Sequence, residues 1–288
     1  MTYKQFLIMI CLAAIWGASF LFSKMAVGYF GAVPLSASRS LIAAVSLFPI
    51  LVLRGRLPEF LKIWKHLVLL GLISTAIPFS LITLSTQYTS AGFASILNAL
   101  TPLFSALLAW LWLKEDLSRA AAAGIGLGFI GVMVMVLDRE TINTSLPVLP
   151  IMAGLGATFF YGLTGNYSRR NLRGVSSLTI SAGCQVFSAL FLLPVAWFSW
   201  PSTSIPWDGW VLSATLGILC TGVAFILYFY LLDKVGVART VVVTYLVPVF
   251  AMLWGHLVLD ESVTLKMAMG AALIMTGIGL TTRPGKST

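Results

Sequence analysis

Apolar residues run through this chain in stretches long enough to cross a bilayer, and polar residues gather in the intervals between them. A crossing helix needs about 20 predominantly apolar residues. Ten such spans are predicted, at roughly 5–28, 34–53, 66–86, 91–113, 117–137, 149–168, 175–198, 209–232, 237–258 and 263–282. Most of their ends carry Pro, Gly, Asp or a basic residue, as helix stop signals require. The connections are short, the longest near 138–148 and 199–208, so no soluble domain is expected.

The pattern occurs twice. Residues 100–131 align without gaps on residues 246–277, pairing Pro102 with Pro248, Phe104 with Phe250, Glu115 with Glu261, Gly124 with Gly270 and Gly131 with Gly277. Earlier in each copy, Gly17, Ser23 and Lys24 correspond to Gly162, Ser168 and Arg169. The expected division is 1–138 and 147–288, five spans each. An odd number of spans per copy makes the second enter from the opposite side, the arrangement of inverted-repeat transporters.

Basic residues give the direction independently. Lys4, Arg54, Arg56, Lys62, Lys65, Lys114, Arg119, Arg169, Arg170, Arg173, Lys234, Arg239, Arg283 and Lys286 fall on one side of the ten-span plan. Only Arg139 and Lys266, with Lys24 and Arg39 inside spans, lie nearer the other. Fourteen against four predicts that both termini are cytoplasmic.

Composition narrows the class further. The chain is 59% hydrophobic and 9% charged, with mean hydropathy +0.97; soluble domains carry about 25% charged residues. Its net charge of +9 is spread over loops, which suits topology rather than a nucleic-acid partner. Cys11, Cys184 and Cys220 each sit in an apolar stretch, where small packing residues are expected rather than a disulfide framework. The apolar run from Phe6 resembles a signal peptide only superficially. Trp16-Gly17 matches Tyr161-Gly162 of an internal span, so a retained first helix is expected.

The opening AAIWGASFLFSKMAV and the blocks TP…LLAWLWLKEDLS and VP…LWGHLVLDESVT resemble the EamA-type members of the drug/metabolite transporter superfamily, over essentially the whole chain. Among relatives, the chain looks most like bacterial exporters of amino acids, including aromatic ones. The resemblance implies an all-α integral membrane protein, with ten transmembrane helices as two inverted five-helix repeats around a central cavity, working by alternating access. Small multidrug relatives in that superfamily depend on a glutamate in the first span, and here that span has none. All nine carboxylates (Glu59, Glu115, Asp116, Asp138, Glu140, Asp208, Asp233, Asp260 and Glu261) map to loops or span ends. A carboxylate at depth is the ordinary device for exchanging lipophilic cations for protons. Its absence favours a uniport or exchange mechanism over proton-coupled cation export.

Aromatic and neutral polar residues near mid-depth form the candidate substrate site: Trp16, Ser19 and Phe20 in span one, Phe79 and Thr83 in span three, Ser95, Asn98 and Thr101 in span four, Tyr161 and Asn166 in span six, Phe225 and Tyr228 in span eight, and Thr244 and Tyr245 in span nine. Such groups suit a zwitterion with a sizeable side chain; equally, aromatics pack helices and hydroxyls bond across them. Pro78, Pro102 and Pro248 are expected to kink helices that line the path. Glu115 and Glu261, in the tight junctions after spans four and nine, either cap the next helix or pair with a basic group as a gate. Arg39 is read at the outer mouth, attracting a substrate carboxylate or reaching the headgroups. Lys24 and Arg169 are read as snorkelling, and His256 as a structural histidine near the interface. Gly124 and Gly128, in GxxxG spacing, and Gly270 and Gly277 mark spans five and ten as closely packed scaffold helices.

No HExxH, intramembrane aspartate pair or metal cluster speaks for an enzyme. The expectation is a transporter exporting amino acids, neutral or aromatic ones included, with a lipid bilayer and a small-molecule substrate as partners. No cofactor or metal is expected, and the protein is read as a monomer or weak dimer. The alternatives are a proton-coupled multidrug or cation exporter, and a carrier of another small metabolite.

Overall fold

The structure is a computed structural model that describes residues 2–137, 148–236, 240 and 242–281. Helices at Tyr3–Phe30, Ala32–Leu53, Trp64–Tyr88, Ala91–Leu113, Arg119–Val136, Val148–Asn171, Ser177–Phe198, Trp207–Leu232, Val242–Leu259 and Leu265–Thr281 are the ten spans. Arg139, Arg239, Arg283, Lys286, Asp138 and Glu140 lie outside the described residues, as do the side chain of Asp233 and the first residues expected for span nine. A short helix, Leu57–Lys62, precedes span three.

Local chemistry explains where the spans begin and end. Thr2 and Gln5 form a reciprocal capping box at the start of span one, with Thr2 N–H donating to Gln5 Oε1 at 2.7 Å. Gly31 alone separates spans one and two, at φ +81, a conformation that a side chain would strain. Spans four and nine end on left-handed residues at equivalent positions, Lys114 (φ 54) and Asp260 (φ 51). The next amide then reaches back to an orphan carbonyl, from Glu115 to Ala109 at 3.2 Å and from Glu261 to Gly255 at 3.1 Å. Both following helices are hydroxyl-capped: Ala121 N–H donates to Ser118 Oγ at 3.1 Å, and Met267 N–H to Thr264 Oγ1 at 3.2 Å.

Packing repeats the sequence correspondence. Span five packs on span ten and span two on span seven, while the pairs one–nine and one–eight answer to six–four and six–three. This reciprocity is that of a pseudo-two-fold axis in the membrane plane. Glycines mark the close approaches in matching pairs. A Cβ on Gly17 would stand 2.7 Å from Phe250 Cβ, and one on Gly162 2.8 Å from the Ser105 amide beside Phe104. In the scaffold pair, a Cβ on Gly131 would meet the Gly270 carbonyl at 2.7 Å, so helices five and ten touch backbone to backbone. The largest buried cluster, with Phe93, Leu97, Leu100, Met135, Ile151 and Ile274, joins this pair to spans four and six.

Proline behaves less uniformly than expected. Span four is interrupted at Ala99–Leu100 and resumes as Thr101–Leu113 with Pro102 in its first turn. Pro248, its counterpart, sits inside an unbroken helix. Pro49 and Pro194 stand inside spans two and seven at corresponding positions. Spans three and eight each contain a wider, π-helical turn, Gly71–Ala76 and Ile218–Val223. Pro78 stands second after the first turn, but Phe225 takes that place after the second, so proline is not the shared cause. Such turns concentrate at functional sites.

Candidate functional site

Arg39 is the residue around which the interior is organised. Rather than standing at the mouth or reaching headgroups, it is only 8% exposed and points inward from span two. Seven residues from the helix start, it lies about 10 Å below that end. Its Nε donates to Thr221 Oγ1 of span eight at 3.1 Å, and its guanidinium carbon sits 4.0 Å from the centre of the Phe79 ring of span three. The π turn sets up the first contact: Thr221 donates to the carbonyl of Leu216, five residues back, at 2.9 Å and leaves its oxygen free to accept from Arg39. Tyr161 of span six and Cys220 of span eight lie within electrostatic range of the guanidinium. Among the described residues no carboxylate lies within 4.0 Å of Arg39, and no hydrogen bond is made by its Nη atoms.

Hydroxyl pairs fix span two around this arginine. Ser36 Oγ and Thr83 Oγ1 are 3.3 Å apart, Ser38 and Ser213 2.8 Å, and Ser40 and Ser188 3.0 Å. Ser36 and Ser40, one turn apart on one face of the helix, tie it to spans three and seven, and Ser38, on the opposite face, ties it to span eight. Nearby, Trp16 packs on Tyr228 (5.4 Å between ring centres) and Phe225 (6.4 Å), joining spans one and eight.

Several expected site residues are engaged elsewhere. Ser19 bonds the Trp16 carbonyl, Ser95 that of Gly92, and Thr101 that of Asn98, all within their own spans. Phe20 is buried where span one packs on span nine. Tyr245 packs with the cluster of spans four, five and ten, and Thr244 is half-buried beside it. Asn98 Oδ1, at the interruption in span four, is buried without a partner. The amide of Asn166 donates to the carbonyls of Ser105 (2.8 Å) and Gly162 (3.0 Å), while its oxygen accepts from Arg169 at 3.2 Å. It locks span six to span four.

The span-end carboxylates have distinct partners. Cap duty after span four belongs to Ser118, and Glu115 pairs with Arg169 at 2.7 Å, both side chains 50% exposed. That pair borders a groove of about 460 Å³ between Trp112–Glu115 and the arginines 169, 170 and 173. Arg169 is therefore committed to Glu115 rather than snorkelling. On the opposite face both oxygens of Glu261 accept from the Ala91 N–H, at 3.0 and 2.9 Å, at the start of span four. Beside it Lys24 Nζ, expected to snorkel, donates to the Thr89 carbonyl at 2.5 Å. His256, exposed, contacts the Glu261 carbonyl at 3.2 Å.

Gly255 makes room for the inward-folded Glu261. A Cβ there would collide with Glu261 Oε2, so the absent side chain is what lets this carboxylate fold inward. Its counterpart in the first repeat is Ala109, and Glu115 points outward. Packing follows the same asymmetry. At the Glu261 face, span one packs against Ile77–Tyr88 of span three and Ala91–Asn98 of span four, which also meets span nine. Among the described residues, span six makes no comparable contact with Ala224–Val235, the equivalent half of span eight. Among the described residues, the helices pack together at the Glu261 face, whereas spans six and eight stand apart at the face carrying most basic residues.

Arg39 and the serines beside it were legible in sequence; Thr221 and Gly255 were missed. Nothing in a single sequence marks a π turn that aims a threonine at another span. The one available signal was the repeat mismatch of Arg39 with Cys184.

Comparison with known proteins agrees with this architecture. A solved crystal structure matches 98% of the chain, and 97% of its own, with TM-score 0.67 at 20% identity, which shows the fold. The chain is 25% identical over 286 residues to the uncharacterized transporter YoaV of Bacillus subtilis, covering 97% of each. It is 24% identical to an uncharacterized transporter of Archaeoglobus fulgidus, covering 97% of this chain and 99% of that one. It is also 24% identical to the chloroplastic WAT1-related protein At3g02690 of Arabidopsis thaliana, covering 98% and 70%. The family model for EamA-like transporters matches twice, at residues 4–137 and 148–283, so the chain is a multi-pass membrane transporter of small molecules belonging to the EamA-like transporter family.

Proposed function

We propose that the protein exports amino acids, neutral and aromatic ones included, across the inner membrane by alternating access. The observation that carries this reading is the gathering of aromatic side chains from spans one, three and eight with Arg39: Trp16 packs on Tyr228 and Phe225, and Phe79 lies under the guanidinium, with neutral hydroxyls on the neighbouring turns. Ring faces hold the body of such a substrate, and hydrogen-bonding groups hold its ends. The basic face is the cytoplasmic one by the positive-inside rule. The sealed Glu261 face is then external, and the state described is the one that receives cargo from the cytoplasm.

No carboxylate stands at membrane depth among the described residues, which supports a gradient-independent exchanger or uniporter over a proton-coupled cation pump. Closure at the basic face and parting at the Glu261 face, by rocking of the two repeats, complete the cycle. The test is uptake of labelled aromatic, aliphatic and charged amino acids into liposomes holding the purified protein, with and without a proton gradient. Saturable uptake of neutral or aromatic amino acids, indifferent to the gradient, is expected. Movement of a lipophilic cation alone, and only with a pH gradient, would sink the reading.

A further inference from the structure

We infer that Arg39 is the anchor for a substrate carboxylate, and that the carboxylate, not the amine, is the charged group the transporter requires. The inference rests on the reading of spans one, three, six and eight as the transport path. A buried charge in a membrane protein is costly unless it is paired, and where it is retained it marks a site of function. Arg39 is held on one side only: Nε by Thr221, and one face of the guanidinium by the Phe79 ring. These contacts orient the group without neutralising it. The Nη edge, the fork that matches a carboxylate with two parallel hydrogen bonds, has no protein partner among the described residues.

The repeat symmetry sharpens the point. Cys184 stands where the second repeat would place an arginine, so the axis carries one guanidinium rather than two. One guanidinium fits a monoanion; a phosphorylated solute calls for more than one positive group. No side chain in the same region offers a negative charge to an ammonium, since the described carboxylates Glu59, Glu115, Asp116, Asp208, Asp260 and Glu261 are at span ends. The substrate class is therefore a monocarboxylate with an apolar or aromatic body, its ring among Phe79, Trp16 and Tyr228 and its carboxylate on Arg39.

A matched trio separates the two charges: phenylalanine carries both, phenylpyruvate only the carboxylate, phenethylamine only the amine. Each is offered in labelled form to liposomes containing the full chain. Saturable movement of the first two and exclusion of the third is expected. Arg39→Gln loses both carboxylates by about tenfold or more, the loss of a charged hydrogen-bonding partner, while Arg39→Lys, keeping the charge without the fork, retains more. Gel filtration checks that the variants remain monodisperse; if Arg39→Gln does not, the wild-type trio and Arg39→Lys decide. Movement of phenylalanine but not phenylpyruvate overturns the inference and leaves amino-acid export standing. Phenylpyruvate alone overturns amino-acid export and leaves the anchor standing. Phenethylamine moving as well as phenylalanine, or Arg39→Gln transporting like wild type, overturns the anchor. If neither carboxylate moves, both readings fall.

Discussion

Adding one methyl group at Gly255 should loosen the sealed face of this transporter without weakening its fold. In the structure, a Cβ at this position collides with the inward-folded Glu261 carboxylate. That carboxylate is the far end of a flexible side chain, so the methyl is accommodated by displacing it from the Ala91 N–H, now held at 2.9 and 3.0 Å. One N–H shared by two carboxylate oxygens counts as a single charge-assisted hydrogen bond, worth about 1.5–3 kcal/mol. Charge complementarity at the start of span four adds about 0.3–1 kcal/mol. The helix itself gains from Gly→Ala, by up to about 1 kcal/mol, in both the sealed and the parted state. That gain cancels from the equilibrium between them. Loss of the hydrogen bond alone should raise the parted population roughly 10- to 150-fold. Ala94, buried where spans one, four and nine meet at that face, supplies the reporter. Ala94→Cys is placed in a chain whose own Cys11, Cys184 and Cys220 have been replaced, and its rate of labelling by a membrane-impermeant maleimide is followed. Labelling should accelerate at least tenfold in Gly255→Ala and in Glu261→Ala, with thermal stability in detergent unchanged or slightly raised for the former. Unchanged labelling in both variants would refute the latch. Faster labelling with a clear fall in stability would show that the methyl had disturbed packing instead.

Three further outcomes are expected. Glu115→Ala should lower stability by no more than about 1 kcal/mol and leave transport near wild type, because its pair with Arg169 is half-exposed on both sides and water screens it; a thermal melt and a transport assay check this. Gly131→Val places a Cβ 2.7 Å from the Gly270 carbonyl and 2.8 Å from Ile274 Cγ1, where backbone cannot give way; a loss of about 1–3 kcal/mol or more is expected in denaturation, whereas Gly126→Ala, facing open space, should be neutral. Phe79→Leu removes the ring beneath Arg39 at 4.0 Å, worth about 0.5–2 kcal/mol, and should weaken carboxylate binding several-fold with little change in stability; an unaltered affinity would mean the ring orients nothing.

Much of the architecture follows from the chain read in one dimension. Ten spans, their alternating direction and the inverted repeat come from the lengths of apolar runs, the bias of lysine and arginine, and the pairing of Pro102 with Pro248 and Glu115 with Glu261. Each is local or periodic, and the bilayer enforces it: a helix satisfies its own backbone, and its length is set by the hydrocarbon. The glycines of spans five and ten belong with these, since small residues at helical spacing leave few uses other than close packing. Side-chain partners are another matter. Sequence placed Arg39 on a helix near one face but could not say whether it turned outward to headgroups or inward to Thr221 and Phe79, because that depends on a π turn in a span 182 residues away. Two glutamates that match across the repeat have different partners, and the room that Glu261 occupies exists only because Gly255 lacks the methyl group that Ala109 carries. What the sequence determined alone is the number and kinship of the spans, which the membrane reads from each segment independently. What only the tertiary structure decided is which polar groups meet, and which face is shut, because those depend on rotations and approaches of helices that no single segment encodes.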